Sequence, residues 1–253
     1  MSGAFTGMSV LVTGGASGIG RATALILLSH GARVASLDLV SSGEAEGNIY
    51  EVVGDVSSAS STARAVEQAA QHMGGLDVVV NNAGVGAQGS VESDDGWDRV
   101  WAVNVMGTVH TTRAALPWLR RSSRACVVNT GSIAGWRGLP NRAAYSASKG
   151  AVHALTMAMA ADHLLDGIRV NAVAPGTADT PWVQRLLAAA ADPEAERSAL
   201  EARQPTGRLV TADEVAHAIC FLASPLSSAT TGAILAVDGG SHPLLAPPRP
   251  PRG

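Results

Sequence analysis

Met8-Ser9-Val10-Leu11-Val12-Thr13-Gly14-Gly15-Ala16-Ser17-Gly18-Ile19-Gly20 is the stretch on which the reading of this chain turns. Its first six residues form an apolar run that reads as a short strand. From Gly18 to Ser29 the apolar residues Ile19, Ala22, Ile26 and Leu27 recur at helical spacing. A glycine-rich turn therefore joins a strand to a helix. Glycines let a backbone approach a ligand closely, and the unpaired N–H groups of a helix start favour an anion. The spacing is Gly14-x3-Gly18-x-Gly20, not the common Gly-x-Gly-x-x-Gly. Taken alone it is a weak signal, with a tight strand-to-helix turn as the plain alternative.

The alternation continues outward. Strands are expected at Met8–Thr13, Arg33–Asp38, Asn48–Gly54, Leu76–Asn81, Ala125–Thr130, Ile168–Ala174 and Ala233–Val237. Helices are expected at Gly18–Ser29, Ser58–Met73 (capped by Ser57 or Ser58) and Trp97 to about Arg121, interrupted or kinked at Pro117. Further helices are expected at Tyr145–Leu165, Pro181–Ala190, Pro193–Ala202 and Ala212–Leu222, the last capped by Thr211. Near-continuous apolar strands between amphipathic helices imply a parallel sheet covered on both faces. The fold class is α/β, a doubly wound Rossmann-type domain. No low-complexity linker divides the chain, so one domain is expected over residues 1–241. A tail follows over residues 242–253, with prolines at 243, 247, 248, 250 and 251.

Composition narrows the class. The chain has 253 residues, 15% of them charged, and a net charge of −3. A broad basic face for nucleic acid is not expected. Two distant cysteines, Cys126 and Cys220, suit a reducing compartment, and with no apolar run near membrane length the expected location is cytoplasmic. No grouping of His, Cys and carboxylates has metal-ligand spacing, so no metal is expected. His72, His110, His153 and His163 read as ordinary helix residues.

Three further signals carry chemistry. Asp38 ends the second strand, where a carboxylate can bind both ribose hydroxyls of NAD and would repel the 2′-phosphate of NADP. A solvated strand end is the plain alternative. Among 18 basic residues the chain has a single lysine, Lys149, and it stands four places after Tyr145. Positions i and i+4 share a helix face. A phenol near pKa 10 is a poor base at neutral pH, and a neighbouring ammonium favours the phenolate. Gly131-Ser132 follows the Ala125–Thr130 strand, at the end of the sheet where ligands of such folds sit.

Together these motifs resemble the short-chain dehydrogenase/reductase family to about Ser241. The turn Thr13–Gly20, Asp55, Asn81-Asn82-Ala83-Gly84, Asn104, Ser132, Tyr145, Lys149, Pro175-Gly176 and Val237-Asp238-Gly239-Gly240 carry the resemblance. It implies a seven-stranded parallel sheet, a homotetramer built through the long helices and the last strand, and NAD as cofactor. It implies Ser132, Tyr145, Lys149 and Asn104 as catalytic residues, with Asn104 holding a water next to Lys149. It implies a cofactor held by Gly14, Ser17, Gly18, Ile19, Gly20, Asp38, Leu39, Asp55, Val56, Asn82, Ala83, Gly84, Tyr145, Lys149, Pro175, Gly176, Ala178 and Thr180. Ala178 stands where the family often has a bulkier aliphatic residue.

The substrate loop is expected over residues 177–208. It is similar to those of cytosolic 3-hydroxybutyrate dehydrogenases and of fucose and sugar-acid dehydrogenases. The expected substrate is a small secondary alcohol or ketone bearing a carboxylate, touched by Ser132, Arg142, Tyr145, Trp182 and Arg203. A third arginine of that pattern falls on Leu186, with Arg185 one place away. A 3-oxoacyl carrier-protein reductase and a non-catalytic dinucleotide sensor are the rival readings. Asp38 weighs against the first, and the intact Ser132, Tyr145 and Lys149 against the second.

Overall fold

The computed structural model describes residues 3–43 and 47–244. Its strands are β1 (Ser9–Thr13), β2 (Arg33–Asp38), β3 (Tyr50–Val53), β4 (Val78–Asn81), β5 (Cys126–Thr130), β6 (Arg169–Pro175), β7 (Ala178–Asp179), β8 (Val210–Thr211) and β9 (Ile234–Val237). Its helices are α1 (Gly18–Ser29), α2 (Ala59–Met73), α3 (Trp97–Val100), α4 (Gly107–Leu119), α5 (Ala143–Asp162), α6 (Pro181–Ala188), α7 (Pro193–Ala202) and α8 (Ala212–Ala223). Seven strands form one sheet in the order β3-β2-β1-β4-β5-β6-β9, all parallel. The order reverses between β1 and β4, which opens a crevice beyond their C-terminal ends.

Strand residues point alternately to the two faces. Val10, Val12, Val78, Val80, Cys126, Val128 and Val173 pack with α1 and α8. Leu11, Leu37, Val79, Val127 and Val170 pack with α2, α4 and α5 through Val66, Leu119 and Met159. The sheet is thus covered on both sides. Both cysteines are fully buried, and burial pushes Cys126 up to about 11 and Cys220 up to about 12.

Some expectations need correction. The long helix from Trp97 is not interrupted at Pro117, since α4 runs through that proline to Leu119. Pro117 lies in the last turn of α4. The irregularity falls instead at Trp101–Met106, a π-helical segment between α3 and α4 that carries Asn104. The helix bearing Tyr145 starts two residues earlier, at Ala143, so the tyrosine sits in its first turn. Strand β3 is shorter than expected. Strands β7 and β8 form a small parallel pair that no periodicity announced, and it ties the start of the 177–208 segment to the residues just beyond its end. Thr211 caps α8 as expected, in a reciprocal capping box with Glu214. Of the proline-bearing tail, residues 245–253 lie outside the described residues. Among the described residues no helix is long and apolar enough to cross a membrane.

Candidate active site

The glycine turn after β1 is built to receive a ligand. Gly14 has φ 67°, a region that favours glycine. A Cβ on Gly20 would lie 2.1 Å from the Gly14 carbonyl oxygen and 2.6 Å from Asn82 Nδ2. Ser17 precedes α1 without a side-chain cap, and the first turn of α1 holds no acidic residue. Its N–H groups therefore face outward as an anion cradle. Asp38 braces the turn, accepting the Ala16 N–H at 3.0 Å with one oxygen and the Leu39 N–H at 2.7 Å with the other. Leu39 itself is exposed. Beside it, Asp55 accepts both the N–H and the hydroxyl of Ser57, and Val56 is buried.

Thr13 holds the cradle to the next strand end. Its Oγ1 accepts the N–H groups of Asn82 and Ala83, each at 3.0 Å. Asn82 Nδ2 donates to the Thr13 carbonyl at 3.1 Å. Thr13 was not singled out from sequence.

The catalytic candidates converge at the ends of β4 and β5. Ser132 Oγ accepts the Ala134 N–H at 3.1 Å, and Ser132 and Tyr145 line the same cleft. Lys149, one turn after Tyr145, is buried, with Nζ 5.7 Å from the tyrosine ring centroid. Nζ donates to the Thr130 carbonyl at 2.7 Å. Burial lowers the lysine from 10.5 to about 8. Burial raises the Tyr145 phenol, while the Ser132 hydroxyl and the Arg142 charge pull it down. Asn104 is fixed from both sides. Its Oδ1 accepts the Val85 N–H at 2.8 Å, and its Nδ2 donates to the Val85 carbonyl and to Ser148 Oγ, both at 3.0 Å. A Cβ on Gly84 would meet Asn104 Oδ1 at 3.3 Å and Lys149 Nζ at 3.6 Å, so both groups border one small hollow.

A cleft of about 620 Å³ collects most of these groups. Ile19, Asn82, Gly84, Ser132, Tyr145, Lys149, Pro175, Gly176, Ala178, Thr180, Arg142, Trp182 and Arg203 all line it. Gly14, Ser17, Gly18, Gly20, Asp38, Leu39, Asp55, Val56 and Ala83 are not among the lining residues; they lie in the turn after β1, in the first turn of α1 and at or beyond the ends of β2, β3 and β4. Asn104 stands behind the cleft wall. Arg185 is not among the lining residues, whereas Leu186 is.

His153 lies in α5, as the sequence reading of an ordinary helix residue has it, but in surroundings the sequence did not announce. It is 3% exposed, one turn beyond Lys149, and neither ring nitrogen has a hydrogen-bond partner among the described residues. Its ring fills the hollow under the Ser132 loop. A Cβ on Gly131 would lie 2.4 Å from His153 Nε2, and one on Gly135 2.7 Å from Cε1. Trp136 packs over it with ring centroids 4.6 Å apart. The only available signal was the i+4 step from Lys149. Burial, then the charges of Lys149 and His242, lower its pKa from 6.5 to about 4. The unfolded chain therefore takes a proton here before the folded one. Stability is expected to fall by about 3 kcal/mol as pH drops from 6.5 to about 4. Thermal unfolding of His153→Leu across that range should lack this component. An acid loss identical to the wild type's would contradict the assignment.

Comparisons with known proteins define the family. A family model described as "Enoyl-(Acyl carrier protein) reductase" matches residues 14–242. The chain is 43% identical over 244 residues to 2-(S)-hydroxypropyl-CoM dehydrogenase 3 of Xanthobacter autotrophicus, covering 91% of this chain and 95% of that protein. It is 40% identical over 251 residues to cis-4-hydroxycyclohexanecarboxylate dehydrogenase of Sinomonas cyclohexanicum, covering 95% and 98%. The solved structure of Thermoplasma acidophilum aldohexose dehydrogenase superposes with a TM-score of 0.90 at 33% identity, covering 98% of this chain and 99% of that one. The fold and site define a dinucleotide-binding oxidoreductase. The chain belongs to the short-chain dehydrogenase/reductase family, whose members act on CH–OH groups with a nicotinamide dinucleotide.

Proposed function

We propose that this chain is an NAD-dependent dehydrogenase that reversibly oxidises the secondary alcohol of a small hydroxy acid or sugar acid. The observation that carries the reading is the juxtaposition of Ser132, Tyr145 and Lys149 at the sheet's C-terminal edge, beside the glycine cradle of α1. Fit to the dinucleotide rests on the close approach at Gly14 and Gly20, the outward N–H groups of α1, and Asp38. Pyrophosphate would lie on the α1 N-terminus, ribose on Asp38, adenine by Asp55 and Val56, and nicotinamide against Pro175, Gly176, Ala178 and Thr180.

The bound nicotinamide supplies the hydride acceptor. The chain's own groups do the rest. Tyr145 Oη takes the substrate hydroxyl proton, and Ser132 Oγ holds the same oxygen as it becomes a carbonyl. Lys149 holds the nicotinamide ribose, and its ammonium favours the phenolate. Asn104 positions a water against Lys149, through which the proton leaves. Arg142 adds positive potential at Tyr145, and with Arg203 and Trp182 it meets the far end of the substrate.

Asp38 decides the dinucleotide. A 2′-phosphate beside its carboxylate meets like charge, worth several kcal/mol in a partly desolvated site. kcat/KM with NAD is expected to exceed that with NADP by roughly 1000-fold. Asp38→Asn keeps an acceptor for the Ala16 N–H and should cut that ratio by roughly 100-fold. Equal use of both dinucleotides by the wild type would overturn the NAD assignment.

The homotetramer belongs to the same proposal. Trp101 and Met157, near or on the long helices, and Phe221 and Leu235, on α8 and β9, are exposed apolar residues that would be covered in it. Light scattering should give four chains per particle. Two buried free cysteines fit a cytoplasmic location.

A further inference from the structure

We propose that the substrate is an organic anion whose alcohol is carried on a hydrocarbon body: an aliphatic or alicyclic hydroxy acid, not a polyhydroxylated one. The inference deepens the dehydrogenase reading above and rests on it.

Charge is the first observation. The chain is net negative, at −3. Yet the cleft is lined by Arg137, Arg142, Lys149 and Arg203, and among the described residues no aspartate or glutamate lines it. Clefts of one sign focus their field on a ligand of the other. Lys149 belongs to the catalytic group, which leaves three guanidinium groups. Two of them are braced by the protein. Arg142 Nη1 donates to the Ala87 carbonyl at 3.2 Å, and its guanidinium lies 5.9 Å from the Trp182 ring centroid. Arg137 Nη1 donates to the Ser241 carbonyl at 2.7 Å. A guanidinium has five N–H donors, so each keeps others for an anion, and a braced fork loses little freedom on binding. Arg203 enters from the bend after α7, with its carbonyl accepting Ser241 Oγ at 3.3 Å.

The second observation is the wall around these arginines. Ile133, Leu139, Trp182, Val183, Leu186 and Leu200 line it. Val183 and Leu200 are also core members of the small cluster that joins α6 to α7, with Leu187 and Leu209, so this hydrocarbon wall is part of the fold. Trp182 lies against Gly86, where a Cβ would come within 2.8 Å of its Cζ2. Leu186, not Arg185, faces the cleft.

Several hydroxyls on a substrate would need polar partners here, and most of those in the lining are engaged: Thr130 and Ser241 donate to Asn82 Oδ1 and to the Arg203 carbonyl, Thr180 Oγ1 accepts the Val183 N–H, and Ser132 serves the reacting oxygen. Of the three amide side chains in the lining, Asn82 and Gln204 already donate to backbone carbonyls at 3.1 Å and 3.0 Å. A hydroxyl buried on hydrocarbon without a partner is disfavoured.

The test uses purified full-length protein, NAD and two matched trios. One is 4-hydroxycyclohexanecarboxylate, the uncharged 4-methylcyclohexanol and the polyhydroxylated acid quinate. The other is 3-hydroxyhexanoate, 2-hexanol and gluconate. In each trio kcat/KM for the hydrocarbon acid should exceed that of both counterparts, by roughly 100-fold. Arg137→Met should raise KM for the acid about 10- to 100-fold, with a smaller effect on kcat. Equal kcat/KM for an uncharged alcohol, or for quinate or gluconate, would overturn this inference and leave the dehydrogenase reading standing. No turnover of any of the six, with NAD or NADP, would overturn both.

Discussion

Tyr145→Phe lowers kcat by about 10³- to 10⁴-fold and leaves dinucleotide affinity within a few-fold of wild type. That is the expected result if Tyr145 Oη moves the substrate proton, because a positioned general base contributes on this order. The substitution removes one oxygen and keeps the ring in the first turn of α5, so packing is little disturbed. It also removes a group whose phenol is held neutral by burial in the isolated chain. The phenolate therefore depends on the positive charges around it, of which Arg142 is one and Lys149 another. Titration of dinucleotide into both proteins, followed by steady-state rates, checks the prediction. A variant within ten-fold of wild type in kcat would remove Tyr145 from the chemistry.

Lys149→Met is expected to lower kcat by on the order of 10³-fold while raising the melting temperature by several degrees. The loss follows from the ammonium's pull on the tyrosine. The gain in stability follows from burial. Lys149 is 5% exposed and among the described residues no carboxylate faces it, so burial depresses its pKa to about 8. Below pH 8 the folded chain carries that penalty in full, about 3 kcal/mol from the shift. Between pH 8 and 10.5 the unfolded lysine binds a proton that the folded one has released, so wild-type stability recovers as pH rises. Methionine fills a similar volume without charge. Losing the hydrogen bond to Thr130 offsets about 1 kcal/mol, so the variant gains about 2 kcal/mol at neutral pH. Melting curves at pH 7 and pH 10 check this. The difference should narrow at the higher pH, and a variant that melts below wild type at pH 7 would contradict the account. A variant that melts above wild type makes Lys149 a group kept for chemistry at a cost in stability.

How much of this was legible in the sequence differs by element. The strands were, because burial on both faces makes each a continuous apolar run, such as Val78–Val80. The glycine turn was, because the Gly20 approach to Gly14 admits no side chain. The pairing of Tyr145 with Lys149 was, because a lone lysine at i+4 has few other readings. The π-helical segment around Asn104 was not, since no residue type marks an i→i+5 hydrogen bond. The two-residue pair β7–β8 was not, since its residues meet only through the fold. The surroundings of His153 were not, because its neighbours, Gly131, Gly135 and Trp136, come from a different segment and only the packing brings them together. Arg137 was not marked by the sequence, for a related reason. In a chain with so many arginines, only the shape of the cleft, and its lack of acidic residues, separates one from another.

The most direct test of the central claim follows hydrogen itself. A hydroxy acid deuterated at its carbinol carbon, incubated with wild-type protein and NAD, should yield reduced nicotinamide carrying the deuterium, read by mass. The same incubation with Tyr145→Phe should yield almost none. Deuterium in the reduced nicotinamide, dependent on Tyr145, is what the account predicts. Dinucleotide bound by the wild type, with no transfer of label from any acid or neutral alcohol tried, would contradict it.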